Sequence, residues 1–504
     1  MTGDYVSSLL THSIMRKLLI ITLLFCSLFR INSFSQEMYF TSLTSFNGSG
    51  AGHSIVPTAD GGYIGIGQLF QSFFNSYILI FKINETGNLE WYNTIEGQDI
   101  NIGYKIITTN DNNYLIVARV AEAPPGFPAQ PVKGAYFSKI NEQGDVIWEN
   151  TYSEEGYTYL LDACQATNND FYYVGNNFGD GIINTSDGAW VIKTNNDGDT
   201  LWTKTLETNI VSGLSIIPSF DSGCILNGID HFVYEDTVSG LSYQNPTPSF
   251  IKLDEQGNQL WQNYVDTTVN ARLEEGITID GYNSIFTGSI ANFNNSIRNA
   301  FLVSIDEFGD TLWTKTIEGI SRFISISLYK NQNAFVCGGY LNDGNRHIPA
   351  TAKFDFDGNL LWKKVYTEIH EDNMIWGVHS TQDGGFIATG KYFNNNINGV
   401  LILKTNYLGE YSTVGLDLIP NIISNEITVF PNPLKSQLTI DLSEIDYNNL
   451  KTEIYNSEGK IIKEMNFQNE KLVKLELSEL PSGLYNLRLL IDNESAINKK
   501  IVKK

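Results

Sequence analysis

Residues able to do chemistry are few and scattered along this chain of 504 residues. A zinc-protease helix needs a second histidine that the run His370-Glu371-Asp372-Asn373-Met374 lacks. The chain also has no Gly-x-Ser-x-Gly turn to expose a nucleophilic serine. Asp355-Phe356-Asp357-Gly358 resembles part of a calcium loop, but Lys353 stands where such a loop begins with a carboxylate. The sequence therefore predicts no catalytic residue, no metal site and no cofactor.

The clearest pattern is a short phrase that occurs seven times between Lys82 and Gly409. Each copy has an apolar run, usually a Lys, then Asn or Asp, then Gly three residues later, and usually a Trp after it. The first copy is Lys82–Gly87 with Trp91, and the others start at Lys139, Lys193, Lys252, Ser304, Lys353 and Lys404, the last with Tyr411 in place of Trp. Asn and Asp bond the backbone of a type I turn, and Gly accepts the left-handed conformation that ends it. Each phrase therefore predicts a β-hairpin.

Two further strand-like runs precede each hairpin, so every unit has four strands. In the first unit these runs are Ser54–Pro57 and Gly62–Ile66, joined by Asp60-Gly61. The repeat interval is roughly 50 to 60 residues, in the range of propeller blades. A unit that cannot bury its own apolar faces must stack on copies of itself, and a closed ring hides the sheet edges. The sequence predicts an all-β fold: a seven-bladed β-propeller followed by a small immunoglobulin-like sandwich.

The ring also needs a strand that closes it. The chain after Tyr411 is a poor outer strand, whereas Met38–Phe46 is an unpartnered strand similar to the outer strands of the other units. We predict that this N-terminal strand completes the seventh blade. The repeated phrase resembles the β-propeller repeats of secreted Bacteroidetes proteins, a resemblance that implies the fold and no activity.

Two repeated side chains accompany the turns. The recurrent Trp is interpreted as a packing residue rather than a carbohydrate platform, because truncating a packed Trp costs about 3 to 5 kcal/mol and this alone explains its repetition. The Lys before each turn is interpreted as a solvated side chain or one whose stem packs on its neighbours.

The first 35 residues predict a targeting segment. Arg16-Lys17 precedes the apolar run Leu18–Phe25, and the small-residue site Ser33-Phe34-Ser35 follows, which is the pattern of a secretory signal. No other run approaches the about 18 apolar residues of a membrane helix, so no transmembrane segment is expected in the mature chain.

The net charge and the cysteines limit the partners and the disulfide bonds that can be expected. The formal net charge is -23, which argues against nucleic acid because little positive charge is available to displace phosphate counterions. Cys164, Cys224 and Cys337 fall in predicted strands of different units. They are expected to be small buried apolar residues rather than disulfide partners.

The last segment of the chain has a different spacing of strand-like runs and turn residues from the repeated units. It contains Thr428-Val429-Phe430-Pro431-Asn432-Pro433, then Ile454–Lys460 with an Asn-Ser-Glu-Gly turn, then Leu477–Tyr485 with a Pro-Ser-Gly turn, and finally Lys500-Ile501-Val502-Lys503-Lys504. Strands punctuated by such turns are enough for a small antiparallel sandwich. The order, spacing and terminal position resemble the type A C-terminal sorting domain of the type IX secretion system.

That resemblance implies a route and a set of signal residues. The sorting domain is recognised at the outer membrane, and the cargo is then released or joined to surface lipopolysaccharide. The implied partners are the type IX secretion machinery and, after processing, surface lipopolysaccharide, and the implied location is secreted or on the outer-membrane surface. The signal residues implied by the motif are Pro431, Asn432, Pro433, Gly459, Pro481, Gly483 and Tyr485, with the closing Lys-rich strand. Phe430 replaces a Tyr that is frequent in the family.

A ligand site is expected on the propeller face that carries the loops between second and third strands. These loops are long and unlike one another, and variable loops on a rigid scaffold usually carry recognition. The candidate ligand-binding residues are Phe127, Asp180, Tyr243, Phe293 and Arg346.

Two functions stay open at this stage. The first is a non-catalytic secreted or surface protein that binds a glycan, a peptide or a protein. The second is a propeller hydrolase or lyase acting on polysaccharide, which needs paired carboxylates or a His–Tyr pair at the channel mouth. The predicted domains are an N-terminal extension and signal peptide (1–35), the propeller (36–417), a linker (418–426) and the sorting domain (427–504).

Overall fold

The structure is a computed structural model whose described part is all β. It describes residues 41–44, 49–72, 75–95, 101–122, 132–152, 157–178, 188–206, 210–235, 242–265, 270–280, 282–291, 298–329, 332–369, 372–394, 397–411, 428–443, 448–456, 461–491 and 495–504. No helix in these ranges could span a membrane. The predicted signal peptide, the linker, Phe127, Asp180, Phe293 and Gly459 lie outside the described residues, and of Tyr243 only the backbone is described.

Residues 41–411 contain seven four-stranded antiparallel sheets within the described ranges. Strand β1 is Thr41–Thr44, and blade 1 holds β2 Ser49–Pro57, β3 Tyr63–Ser72, β4 Asn75–Ile83 and β5 Leu89–Ile95. Blade 2 holds β6 Ile102–Thr108, β7 Tyr114–Glu122, β8 Val132–Ile140 and β9 Val146–Tyr152. Blade 3 holds β10 Tyr157–Gln165, β11 Phe171–Phe178, β12 Gly188–Thr194 and β13 Thr200–Thr205. Blade 4 holds β14 Ile210–Pro218, β15 Cys224–Glu235, β16 Ser242–Leu253 and β17 Gln259–Tyr264.

The remaining blades follow the same pattern. Blade 5 holds β18 Asn270–Thr278, β19 Ser284–Ala291, β20 Arg298–Ile305 and β21 Thr311–Ile317. Blade 6 holds β22 Arg322–Tyr329, β23 Ala334–Asn342, β24 His347–Asp355 and β25 Leu360–Val365. Blade 7 holds β26 Met374–Ser380, β27 Phe386–Asn394 and β28 Ile397–Thr405. Each first strand contacts the first strand of the next blade, and β26 contacts β2, so the blades form a closed ring.

The N-terminal strand closes the ring as predicted. Strand β1 pairs antiparallel with β28, with Thr41 opposite Leu403 and Thr44 opposite Val400. It is therefore the outermost strand of blade 7, in the order β1-β28-β27-β26. The two ends of the propeller chain meet in one sheet, because the last unit supplies only three strands of its own.

The hairpin turns obey the predicted chemistry. In blade 1 the Asn84 side-chain oxygen accepts the backbone N–H of Thr86 at 3.0 Å and of Asn88 at 2.9 Å. The same two-bond pattern occurs at Asn141, Asn195, Asp254, Asp306 and Asn406. The Gly that ends each turn has a positive φ, for example 83° at Gly87.

The recurrent Trp packs between blades, which confirms the packing interpretation. Each Trp lies against the turn glycine of the following blade. The indole N–H groups of Trp148, Trp202, Trp261 and Trp362 donate to a carbonyl of that turn. In blade 3, Trp202 donates to the Glu255 carbonyl at 3.1 Å, and a Cβ on Gly257 would lie 3.0 Å from the indole ring. The Trp and the turn together fasten one blade to the next.

Replacing Gly257 with Ala should therefore weaken the ring. The substitution strains a φ of +78° and also meets Trp202, so we expect a loss of about 1 to 3 kcal/mol in the free energy of unfolding. Gly344→Ala is the matched control, since Gly344 has a φ of +94° but nothing within 4 Å of its added Cβ. Urea denaturation of both variants measures the difference. Equal losses would mean that the contact with Trp202 contributes nothing.

Of the two alternatives for the recurrent Lys, the solvated side chain is wrong, because the Lys is buried and paired. Lys139, only 3% exposed, donates to Asp111 at 2.7 Å. Equivalent bridges join Lys82 to Asp60, Lys193 to Asp170, Lys252 to Asp221 and Lys404 to Asp383. Each Asp comes from the tight turn between the first and second strands of a blade, and each Lys comes from the third strand of the same blade. The up-and-down order of the four strands places this turn and the turn between the third and fourth strands at the same end of the blade, where Lys and Asp meet.

The ion pair between Lys139 and Asp111 should make the free energy of unfolding depend on pH in the acidic range. Burial alone would raise the pKa of Asp111, but hydrogen bonds from Lys139, Thr109 and Asn113 outweigh it and hold the pKa at about 2. Because the folded pKa lies below the unfolded value of about 3.9, the pair stabilises the fold above about pH 4, and that contribution is lost as the pH falls toward 2. The stability difference between the native protein and Asp111→Asn should shrink over this window in urea titrations. In a Lys139→Met background the pH range over which Asp111 contributes to stability should narrow. An unchanged pH dependence in that background would contradict the assignment of the effect to the pair of Lys139 and Asp111.

The last residues form a separate small sandwich. One sheet contains β29 Thr428–Phe430, β30 Gln437–Asp441 and β33 Leu472–Glu476, and the other contains β31 Leu450–Tyr455, β32 Ile461–Phe467, β34 Gly483–Ile491 and β35 Ser495–Lys503. Fully buried side chains from both sheets, such as Ile440, Val473, Ile454 and Leu487, make one core.

Candidate functional site

A β-bulge lies at the equivalent place in the first strand of every blade. A bulge leaves one residue out of the ladder and redirects its side chain. The bulged residues are His53, Tyr104, Leu161, Leu214, Glu274, Ile324 and Trp376. All seven line a single central cavity of about 350 Å³. The fold thus builds one cavity from seven segments that are far apart in sequence.

The second strand of each blade carries the sequence signal of these bulges. The residue paired just before the bulge is Gly67, Ala118, Gly175, Gly228, Gly288, Gly339 or Gly390. A Cβ on Gly67 would lie 1.9 Å from the Ala51 carbonyl oxygen, and one on Gly288 would lie 1.9 Å from that of Arg272. A repeated small residue inside a strand marks a close backbone approach, and it could have pointed to the cavity.

The residues after the bulges tie neighbouring blades together. Five such hydrogen bonds join Ser54 Oγ to Ile106 O, Asp162 Oδ2 to Ile216 N, Ser215 Oγ to Gly276 N, Glu275 Oε2 to Ile326 N and Ser325 Oγ to Val378 N. Asp162 and Glu275 therefore serve the ring itself. Lys105 of blade 2 also reaches across the cavity to form an ion pair with Glu275 of blade 5, and it lies 3.5 Å from Asp162.

A second ion-pair group lies beside the first. Glu274 accepts from Arg272 at 2.8 Å and also forms an ion pair with Arg322. The three carboxylates that line the cavity are thus committed to cations. A glycoside hydrolase needs one carboxyl group to donate a proton and a second to act as nucleophile or base, and each of these three described carboxylates is instead paired with a cation.

The aromatic side of the cavity is different. The His53 ring lies 4.5 Å from Trp376 and 5.9 Å edge-on from Tyr104. The Nε2 atom of His53 is buried and has no hydrogen-bond partner in the part of the chain that the structure describes. Burial lowers the pKa of His53 to about 4, so the imidazole is neutral at neutral pH. A neutral imidazole with an unused nitrogen, between two aromatic rings, is suited to receiving a polar ligand group.

Tyr104 is held from behind by Arg119. Burial raises the pKa of Tyr104, while the positive charge of Arg119 and its hydrogen bond to Tyr104 oppose that rise. The Arg119 guanidinium lies 5.9 Å from the Tyr159 ring centroid, and its Nε atom is buried without a partner. His53, Tyr104 and Arg119 thus form a row across blades 1 and 2.

The cavity lies toward the end of the ring that carries the loops between second and third strands. Tyr340, which lines it, pairs with Arg322 and is two residues from the end of β23. Of the predicted ligand residues, Arg346 is the one whose side chain is described: it lies in the β23–β24 turn, 3.8 Å from Asp343, and is not part of the cavity lining. Arg346, with Phe127, Asp180, Tyr243 and Phe293, stays a prediction.

The predicted sorting residues meet the end of the chain. The Asn432 side-chain oxygen accepts the Val502 N–H at 2.8 Å, and the Leu434 N–H donates to the Val502 carbonyl at 2.8 Å. Pro431 and Pro433 follow cis peptide bonds and are exposed. Gly483 begins β34, and the buried Tyr485 donates to the Pro481 carbonyl at 2.8 Å. The two ends of the sandwich sequence therefore form one surface.

The fold and the cavity define a β-propeller protein that carries a C-terminal β-sandwich. Residues 428–504 match the family described as Secretion system C-terminal sorting domain. This match covers the sandwich, and it indicates that the chain is a secreted protein of the Bacteroidetes type, exported through type IX secretion to the cell surface or the medium.

Other similarities are distant. An endo-acting ulvan lyase from Formosa agariphila is 23% identical over 152 residues, and the match spans 29% of this chain and only 28% of that relative. Among solved structures, a hydrazine synthase from Kuenenia stuttgartiensis has a TM-score of 0.46 at 12% identity, covering 72% of this chain and 97% of that one. A PL25 ulvan lyase bound to a GlcA–Rha3S saccharide also has a TM-score of 0.46, at 9% identity, covering 72% of this chain and 96% of that one. These structural likenesses say nothing about activity.

Proposed function

We propose that this is an exported binding protein whose central cavity holds a segment of a carbohydrate chain. The observation that carries the proposal is the buried, unpartnered Nε2 of His53 between Trp376 and Tyr104. A buried polar atom without a partner costs free energy that a ligand hydrogen bond can recover. Aromatic rings beside it supply the apolar surface on which a sugar ring can lie.

The size and polarity of the cavity favour the same ligand class. A volume of about 350 Å³ is near the lower end of the range for small-molecule sites, so a chain segment fits and a folded partner does not. Glu274 between Arg272 and Arg322 presents acceptors and donors side by side. A sugar hydroxyl both donates and accepts, so it can use such a pair without disrupting it.

Truncating Trp376 to Ala should weaken saccharide binding at least tenfold, which corresponds to about 1.4 kcal/mol. Glycan-array screening of the purified protein would identify saccharides, and titration calorimetry would then compare variants. Phe308→Ala is the control, because Phe308 is 63% exposed in the β20–β21 turn, at the end of the blade opposite the second-to-third loops. Equal binding by both variants would place the ligand outside the cavity.

A second function is favoured by the His53–Tyr104 pair. In an eliminative polysaccharide lyase, a base removes the proton beside a uronate carboxylate, a carbon–carbon double bond forms, and the sugar oxygen leaves with a proton from an acid. The neutral His53 imidazole can act as base and the Tyr104 hydroxyl as acid. The ulvan lyase relative suggests uronate polysaccharides as substrates to try. Growth of ultraviolet absorbance from unsaturated ends, lost in both His53→Ala and Tyr104→Phe, would establish this activity, and binding without such products would support the binding protein.

A further inference from the structure

The charged residues of the central cavity lie at different depths. Arg272 and Arg322 each precede the bulged residue of their strand by two positions. Lys105, Asp162 and Glu275 each follow the bulged residue by one. Every first strand begins at the end of the ring that carries the loops between second and third strands, because the four strands of a blade alternate in direction. The two arginines therefore lie at the loop end of the cavity, and the other three charged residues lie deeper.

Exposure follows the same order. The Arg272 side chain is 41% exposed, which is more than any other charged residue of the lining, whereas the deeper Asp162 is 8% exposed. A ligand that enters from the loop end therefore meets the arginine pair first.

The two groups also differ in net charge. The deeper group sets one cation, Lys105, against two carboxylates, Asp162 and Glu275. At the loop end the two guanidinium groups share the single carboxylate of Glu274, and both bond to its Oε1 atom. The charges of the lining balance as a whole, but the loop end is left positive and the deeper end negative.

The arginine pair is held in place and still has donors for a ligand. Arg272 Nε donates to Glu274 at 2.8 Å, and Arg322 bonds to both Glu274 and the hydroxyl of Tyr340. The Nε atom of Arg322 is buried and has no hydrogen-bond partner among the described residues. Because a guanidinium group carries five N–H donors, the pair can bond an anionic ligand group without releasing Glu274.

We infer that Arg272 and Arg322 select a saccharide with an anionic substituent, a carboxylate or a sulfate, and hold that substituent at the loop end of the cavity. The inference rests on the proposed function, since it assumes that the cavity holds a saccharide. Trp376, on which the sugar ring is proposed to lie, belongs to β26, and β26 contacts β22, the strand that begins with Arg322. A substituent of a sugar ring on Trp376 can therefore reach the arginine pair.

Electrostatics direct the anion to the loop end rather than to the deeper end. A guanidinium group matches a carboxylate with two parallel charge-assisted hydrogen bonds, which a lysine cannot do. Deeper in the cavity an anion would meet the two carboxylates that outnumber Lys105, and like charges repel strongly inside a partly buried site. Arg272 and Arg322 are specificity-determining residues in this account, and the contact of the sugar with Trp376 does not depend on them.

The test uses matched ligands and matched variants of the full exported chain. The ligands are oligomers of galacturonate, glucuronate and mannuronate, each as the free acid and as its methyl ester, with a sulfated galactan oligomer and its desulfated form as the sulfate arm. The variants are Arg272→Gln, Arg322→Gln and the double variant. Arg298→Gln is the control, since Arg298 is exposed at the start of β20, at the same end of the ring, and is not part of the cavity lining. Titration calorimetry gives the ratio of affinities for the charged and neutral forms.

The native protein and Arg298→Gln should bind at least one charged form about tenfold more tightly than its neutral partner. Arg272→Gln and Arg322→Gln should each lower that ratio by about threefold or more, and the double variant should bring it close to one without losing the neutral form. A preference for the sulfated form alone, lost in the double variant, assigns the anion as sulfate, and a preference for the free acids alone assigns it as carboxylate.

Three results would overturn the inference while leaving the proposed function intact: an unchanged ratio in either single variant, an equal fall in Arg298→Gln, or saccharide binding with no charge preference. Binding of no saccharide overturns both. Arg322 is less exposed than Arg272, so if Arg322→Gln does not fold, Arg272→Gln alone decides the inference.

Discussion

A chain that lacks residues 428–504 should accumulate in the periplasm and be absent from the cell surface and the medium. These residues are the secretion-system sorting domain. They have a hydrophobic core of their own, made only of residues from 429 to 501. Their removal therefore takes away the export signal and leaves the propeller core residues in place. Fractionation of cells followed by immunoblotting measures the distribution, and normal arrival of the shortened chain at the surface would contradict the assignment.

A single substitution in the sorting domain, Asn432→Ala, tests the export signal at one residue. Asn432→Ala removes the acceptor for the Val502 N–H and loosens the contact between the Pro431–Pro433 segment and the last strand. We expect a several-fold loss of surface protein with the sandwich still folded, because Asn432 is exposed and its loss opens no cavity. Lys435→Ala, at an exposed neighbouring position, is the matched control and should be exported normally. Equal export of the two variants would mean that the secretion machinery does not depend on Asn432.

The parts of the fold that were predictable are the ones encoded locally. An Asn or Asp and a Gly three residues apart favour a turn, so the seven turns could be placed from short stretches of sequence. The seventh turn is not followed by a hairpin strand, because β1 takes that place. The closing strand was predictable for a related reason, since a three-stranded last unit leaves one edge to be filled. The ion pair of the Lys near each turn was not predicted, because its partner, such as Asp111 for Lys139, lies 28 residues away on another turn.

The cavity could not be predicted in the same way. His53, Tyr104 and Trp376 come from three different blades, and their spacing along the chain does not indicate that their rings lie close together. Bulges are what turn them inward, and bulges arise from pairing between strands rather than from the bulged residue itself. The glycines opposite the bulges were the available signal. The predicted ligand residues Phe127, Asp180, Tyr243, Phe293 and Arg346 come from predicted loops, where the sequence offers no pattern that separates a ligand contact from ordinary exposure.

Deleting the closing strand should destabilise the propeller more than any single core substitution discussed above. Without residues 36–44, the backbone of β28 loses its partner from Val400 to Leu403. Val400, Leu401, Ile402 and Leu403 are fully buried in the complete ring, and the deletion would bring an apolar edge toward solvent. At about 1 kcal/mol for each lost backbone hydrogen bond, with added exposure of apolar surface, we expect a loss of about 3 to 6 kcal/mol and a tendency to aggregate through the open edge.

A transplanted strand provides the control for this deletion. Moving residues 39–46 to follow Tyr411 places the strand next to β28 as a hairpin, in the antiparallel direction that β1 adopts in the native sheet. Thermal and urea denaturation should show that the transplant recovers most of the lost stability, because the same pairing is restored by a different connection. If the deletion left the unfolding transition unchanged, the ring would close without β1. If the deletion destabilised the protein but the transplant recovered nothing, the stabilising contacts would belong to the segment before Tyr39 rather than to the strand itself.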